Sequence, residues 1–144
     1  MFSKTCEYGI RATLYIAYQS QLNQRTSLKD ISKAIDSPEA FTAKILQVLS
    51  KTGILKSTKG PSGGFEIEKD KQAKIKLSQV VFAIDGDGLY QGCGLGLKAC
   101  NSLKPCPLHD KFMKIRDDLK FMLETTSILE LANGLNDGLS FLKR

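Results

Sequence analysis

Three of the four cysteines and the single histidine of the chain fall in one short segment, "GCGLGLKACNSLKPCPLH", residues 92–109. The spacing is C-x6-C-x5-C-x2-H, formed by Cys93, Cys100, Cys106 and His109. A free cysteine packs well as a small hydrophobe, which explains an isolated cysteine but not this grouping. Gly92, Gly94, Gly96, Pro105 and Pro107 make the segment neither helix nor strand. Three thiolates and an imidazole are a donor set for zinc or for an iron–sulfur cluster. Structural zinc favours tight C-x2-C knuckles, and spacers of six and five residues are too wide for one. A cluster is larger than a single ion. A glycine-rich loop can wrap around it and offer backbone N–H groups to its sulfurs. Three cysteines leave one coordination position for His109 or a carboxylate from elsewhere, a more labile ligand that suits a sensor. The expected cofactor is therefore a 2Fe-2S or 4Fe-4S cluster, with zinc as the alternative. A Cys–His nucleophile is the competing chemistry, but the loop lacks the strand and elbow that would present one. The chain is not read as an enzyme.

The elements around the loop follow from apolar spacing. Ile10, Leu14, Ala17 and Tyr18 predict a first helix over residues 5–20. Ser27 and Asp30 begin a second, with Leu28, Ile31, Ala34 and Ile35 on its apolar face. After "DSP", Ser37 is expected to cap a third helix that holds Pro38 and Glu39 in its first turn. This helix should bury Phe41, Ile45, Val48 and Leu49 and stop at Gly53. "ILKS" and "FEIE" then predict two strands joined by the turn "TKGPSGG". Three helices and a hairpin are the order of a winged helix-turn-helix, whose third helix enters the major groove while the wing follows the phosphates. A further helix should begin near Ser78 and end before Gly86. A long one follows Asp110, with Phe112, Ile115, Leu119, Met122 and Leu123 as an apolar stripe expected to make a dimer interface.

Charge agrees with this order. The net charge is +6, and all of it resides in residues 1–80, which carry 13 Lys/Arg against 7 Asp/Glu. No acidic residue lies between Glu39 and Glu66, where Lys44, Lys51, Lys56 and Lys59 give a local +4. That is the footprint of a polyanion partner, here double-stranded DNA. The residues expected to face DNA are Ser37, Glu39, Thr42, Lys44, Gln47 and Lys51 around the third helix, with Lys56, Lys59, Ser62 and Gly63 on the wing. The fold class is thus mostly α with a small β-hairpin wing. A DNA-binding part spans residues 1–80, and a part spanning 81–144 carries the cluster loop (86–109) and the dimerisation helix. No apolar run approaches the ~20 residues of a membrane span, and "MFSKTCEYGI" has no signal-peptide layout. A cytoplasmic protein with reduced thiols is expected.

Nearly the whole chain resembles the IscR/NsrR/CymR family of bacterial winged-helix transcription regulators. The resemblance is carried by "CEYGIRATLYIA" at the start, "KTGILKSTKGPSGGFEI" at the wing, and the cysteine triplet followed by an amphipathic helix. It implies a homodimer whose long helices cross, with each cluster near the partner's DNA-binding part. It also implies Cys93, Cys100 and Cys106 as cluster ligands. For the fourth ligand, His109 matches the histidine position of IscR-like members, and Glu7 the acidic position from which NsrR-like members donate across the dimer. The first spacer is six residues here, against five in several members. Relatives without the cysteines respond to small molecules or protein partners. The alternative reading is therefore a winged-helix regulator whose loop binds structural zinc or no metal.

Overall fold

The computed structural model describes residues 1–138 together with Phe141 and Leu142. Its centre is α1 (Lys4–Gln21), around which α2 (Leu28–Ile35), α3 (Glu39–Lys51) and the later helices pack. Because α1 is covered on several sides, its deepest residues are small as well as apolar: Gly9, Ala12, Thr13, Ile16 and Ala17 are all buried. The face read from periodicity, Ile10, Leu14, Ala17 and Tyr18, is only one flank of this surface. At Gly9 a later helix crosses so closely that a Cβ would stand 2.1 Å from Ile84 Cδ1.

Ser27 caps α2 as the sequence predicts, its hydroxyl accepting from the N–H of Asp30 at 3.2 Å. The chain then turns through Asp36 in the left-handed region (φ 53°) and starts α3. Here the expectation for Ser37 fails. The N-cap of α3 is Pro38, with no side-chain cap bond, and the Ser37 hydroxyl pairs with Thr42 Oγ1 at 2.5 Å. The inner face of α3 is Thr42, Ile45, Leu46 and Leu49. Ile45 and Leu49 are buried as the sequence predicts, but Phe41 is half-buried and Val48 exposed, because the buried face is turned about the helix axis towards Thr42 and Leu46. Gly53, with φ 81°, follows the end of the helix as expected.

The wing is β1 (Lys56–Thr58) antiparallel to β2 (Gly64–Glu66), in register Lys56↔Glu66, Ser57↔Phe65 and Thr58↔Gly64. It starts later and ends earlier than the apolar runs suggest, because Ile54, Leu55 and Ile67 are core residues flanking the hairpin. A bridge from Thr26 to Phe65 adds the turn before α2 to the wing's base. The short α4 (Lys69–Gln72) ends in a buried amide. Gln72 Nε2 donates to the carbonyls of Ala17 (3.2 Å) and Ile67 (3.1 Å), and its Oε1 accepts from Gln21 Nε2 (3.1 Å). Replacing Gln72 by alanine should remove the three hydrogen bonds of this buried amide and cost about 2–3 kcal/mol in chemical denaturation. A loss below half a kcal/mol would show that water takes the amide's place.

Next come α5 (Leu77–Asp85), a 3-10 turn (Gly88–Tyr90), the long α6 (His109–Thr125) and α7 (Ile128–Asn136). The sequence gives no hint that α7 returns to α1, yet Ile128 and Ala132 are fully buried in the same core as Ile16 and Ile31. The N–H of Leu77 donates to Thr126 O (2.9 Å) and that of Ile128 to Ile75 O (2.9 Å), clamping the start of α5 to the start of α7. Residue 80, where the sequence divides the chain, lies inside α5. Among the described residues no helix is long and apolar enough to cross a membrane.

Candidate metal centre and DNA-facing surface

The loop between α5 and α6 is built from successive tight turns. Gly86, with φ 71°, closes α5 by donating to Phe82 O at 3.0 Å. The N–H of Gly96 returns to Cys93 O at 2.9 Å, and Asn101 Oδ1 accepts from Leu103 N (2.9 Å) and Lys104 N (3.0 Å). The N–H of His109 then donates to Cys106 O at 3.0 Å as α6 begins. Three contacts fasten the loop to α6. Arg116 donates to Gly92 O, the Phe112 ring lies where a Cβ on Gly94 would stand 2.5 Å away, and Lys120 Nζ sits 5.8 Å from the Tyr90 ring centre.

These turns bring the three thiols together. The Sγ atoms of Cys93, Cys100 and Cys106 all lie within 4.8 Å of one another, Cys93 and Cys106 at 3.7 Å. His109 Nδ1 is 3.3 Å from Cys100 Sγ. The backbone N–H of Leu95 points at Cys93 Sγ (3.4 Å) and that of Cys106 at Cys100 Sγ (3.3 Å). Glu7 does not join this group within one chain. It lies on α1 with its carboxylate 3.5 Å from Lys4 Nζ. Cys6 is a core residue with no exposure, as its place on the first helix suggests.

The two kinds of cysteine differ in acidity. Hydrogen bonds from the backbone at Leu97 and Leu95 stabilise the Cys93 thiolate and bring its pKa down to about 7. Burial, with Asp85 beside it, pushes Cys6 up to about 12. In metal-free protein, iodoacetamide should therefore modify Cys93 at a rate that rises through about pH 7 and leave Cys6 untouched until the chain unfolds. Peptide mapping after timed alkylation reads both. Early modification of Cys6 would contradict its burial.

The helix α3 presents Glu39, Ala40, Lys44, Gln47, Val48 and Lys51 to solvent. Thr42 is a correction. It is fully buried, and its hydroxyl donates to Pro38 O at 2.8 Å, so it cannot reach a base edge from this position. Ser37, its partner, is half-buried. On the wing Lys59 and Ser62 are exposed, whereas Lys56 pairs with Glu68 at 3.4 Å. Gly63 is a turn residue, since a Cβ there would meet Thr58 O at 2.1 Å. The sequence reading missed Arg25, which forms an ion pair with Glu66 and donates to Ser62 O at 3.2 Å, bracing the wing against the turn before α2. Only the Thr26–Phe65 bridge makes sense of its position.

The stripe on α6 divides. Leu123 is fully buried and Phe112 is packed on the loop, so these two face their own chain. They lie on the flank of the helix that meets α5, which the apolar spacing alone did not separate from the outer flank. Leu119, on the same flank, is half-buried and packs on the core, while Ile115, Phe121 and Met122 are 56%, 70% and 40% exposed.

Comparison with known proteins agrees with this architecture. The pattern of the Rrf2 family, described as iron-dependent transcriptional regulator, matches residues 2–134. The chain belongs to the Rrf2 family. It is 29% identical over 126 residues to the HTH-type transcriptional regulator IscR of Photorhabdus laumondii, covering 88% of this chain and 75% of that one. A protein of Aquifex aeolicus is 29% identical over 135 residues, 92% of each chain. In fold, the global cysteine regulator CymR of B. subtilis superimposes with a TM-score of 0.76 at 22% identity, over 92% of this chain and 96% of that one. IscR of T. potens does so with 0.73 at 20% identity, over 97% and 91%. This Rrf2 chain is a transcriptional regulator of the IscR type with a winged-helix fold, and three of its cysteines stand close enough to bind a metal.

Proposed function

We propose that this Rrf2 regulator binds duplex DNA as a homodimer and that a metal centre on Cys93, Cys100 and Cys106 sets its affinity for the operator. The observation that carries the reading is the convergence of three half-exposed thiols at the start of α6, away from the core. The donor set suits an iron–sulfur cluster, with His109 or Glu7 of the second copy as fourth ligand. Seating a cluster among the three sulfurs requires residues 86–109 to adjust. A loop outside the core, fastened to α6 by three contacts, allows this. A bound cluster supplies a group whose loss or oxidation changes the charge and order of the loop.

Contacts run from the loop to the DNA-facing helix. Asp85, the last residue of α5, accepts from the backbone N–H of Ser3 (3.2 Å) and from its hydroxyl. Ser3 is the N-cap of α1, accepting from Cys6 N at 3.0 Å. Three residues further along α1 than Tyr8, Arg11 sits over the Tyr8 ring at 4.7 Å and donates to Ile35 O at the end of α2. Tyr8 itself meets Phe41 of α3 edge-on at 5.6 Å. Ordering the loop thus bears on the helix that faces DNA through α5 and α1.

The test of the reading is anaerobic purification, iron and sulfide analysis, and selection of genomic DNA by the metal-loaded and metal-free protein. Recovery of no DNA by either form would end the regulator reading, and equal affinity of the two forms would end the sensing part of it. The dimer has its own check. A charge at Ile115, the most exposed aliphatic side chain of the stripe, should give monomers in sedimentation and leave only half-site binding. A dimeric Ile115→Asp protein would place the interface elsewhere.

A further inference from the structure

The wing is too small to hold its own shape. Each strand has three residues, and the turn between them contains Gly60 with φ 101° and leads into Gly64 with φ 138°. Within the turn, the N–H of Gly63 donates to Gly60 O at 2.9 Å. An isolated two-stranded hairpin is marginally stable at best in water, and glycine is the residue freest to leave a given conformation. Lys59, at the start of the turn, is exposed. Its approach to a phosphate therefore depends on whatever fixes the wing from outside.

That support comes from residues 25 and 26. Backbone bonds join Thr26 and Phe65 in both directions, Thr26 N to Phe65 O at 3.1 Å and Phe65 N to Thr26 O at 2.8 Å. The bridge presses β2 so closely on this turn that a Cβ on Gly64 would stand 2.8 Å from Thr26 O and 3.3 Å from Arg25 Cβ. One bridge alone leaves the outer part of the wing free to pivot about it. Arg25 opposes the pivot, because its guanidinium holds the wing at two points. Nε donates to the Glu66 carboxylate on β2, and Nη1 donates to Ser62 O in the turn at 3.2 Å. A planar fork of donors fixes direction as well as distance, which a lysine ammonium does not. Lys56 stands opposite Glu66 in the ladder, yet its ammonium turns to Glu68 at 3.4 Å. Among the described residues, Arg25 is thus the cation on Glu66. We propose, on the reading of this chain as a DNA-binding regulator, that Arg25 is a positioning residue which holds the wing where Lys59 meets a phosphate. Engaged with Glu66 and Ser62, Arg25 makes no phosphate contact of its own.

The test removes the pair without changing net charge, as Arg25→Ala/Glu66→Ala in the full-length protein. Binding to the selected operator is titrated at several salt concentrations, beside Arg25→Lys, Lys59→Ala and the triple variant. Losing the pair should weaken binding about tenfold and lower the salt slope as much as Lys59→Ala does, by about 1.8 for a dimer at 0.9 per phosphate. Arg25→Lys keeps the charge but not the fork, and it should behave more like the pair-deleted protein than like the parent. On top of Lys59→Ala, deleting the pair should cost less than about twofold, because the contact it positions is already gone. Hydrogen exchange gives a readout without DNA. The Gly63 amide should exchange faster in the pair-deleted protein, while the amides of α1 and the melting temperature stay unchanged, since an ion pair with 42% of the Arg25 side chain exposed adds little to global stability. Full-strength binding by the pair-deleted protein, parent-like binding by Arg25→Lys, or an undiminished further loss beyond Lys59→Ala would each overturn the proposal. If the parent binds DNA and Lys59→Ala changes nothing, only the wing's role fails. A parent that binds no DNA brings down the regulator reading and this one with it.

Discussion

Serine in place of any one of Cys93, Cys100 or Cys106 is expected to reduce bound metal from about one centre per chain to near zero after desalting. The three sulfurs are the anionic donors of the site, and a serine hydroxyl stays neutral at pH 7 and binds thiophilic metals weakly. Metal-binding free energies of roughly 10–16 kcal/mol in small zinc sites come from a complete ligand set, so losing one thiolate removes a large share of the total. All three cysteines sit half-exposed on the loop, and the fold should survive each change. Cys6 is the internal control. Fully buried against Asp85, it should tolerate serine with full metal content but lower stability, since a hydroxyl takes the place of a packed sulfur in the core. His109→Ala lies between these extremes, with metal retained and its spectrum changed, because water or Glu7 of a second copy can take the place of a neutral imidazole. Elemental analysis beside thermal melts reads all five proteins. Normal metal in a protein lacking all three loop cysteines would show that they cluster for some other reason.

That the cysteines form one group was legible in the sequence because no packed core puts three thiols and the only histidine among glycines and prolines. Their mutual distance was not. The count of six and five intervening residues measures chain length, and the turns at Gly96 and Asn101 set how much of that length becomes separation. The three helices and hairpin were readable for a similar reason, since Ser27, "DSP", Gly53 and the wing glycines are punctuation whose effect is local. What failed was orientation about an axis. On α3 the run from Phe41 to Leu49 holds apolar residues on more than one face, and contact with α1 and α2 decides that Leu46 and Thr42 turn in while Val48 turns out. On α6 the same ambiguity hid Leu123 in the core and left Ile115 and Met122 outside. The placement of α7 depends on long-range packing against α1, for which periodicity carries no signal.

Alanine at Lys44, Lys51 and Lys59 together should flatten the salt dependence of DNA binding more than any other surface change. All three are exposed, and among the described residues none of them has a salt bridge within the chain. Each is therefore available to a phosphate, and a dimer would lose six such contacts. With each contact contributing about 0.9 to the slope of log K against log salt, the slope should fall by about 5. Lys56→Ala should do less than any one of the three, because Glu68 already holds that ammonium at 3.4 Å and competes with the phosphate. Gln47 and Val48 occupy the same exposed face of α3 but carry no charge. Changing them should leave the slope alone and alter which base pairs are preferred, through an amide that reads adenine edges and an apolar branch suited to a thymine methyl. Titrations at several salt concentrations, on the selected operator and on unrelated duplex, separate the two effects. The triple alanine protein should weaken on both DNAs alike, whereas the Gln47 and Val48 variants should weaken on the operator only. A slope that stays put when the three lysines are removed would mean that the phosphates are met by another face of the molecule.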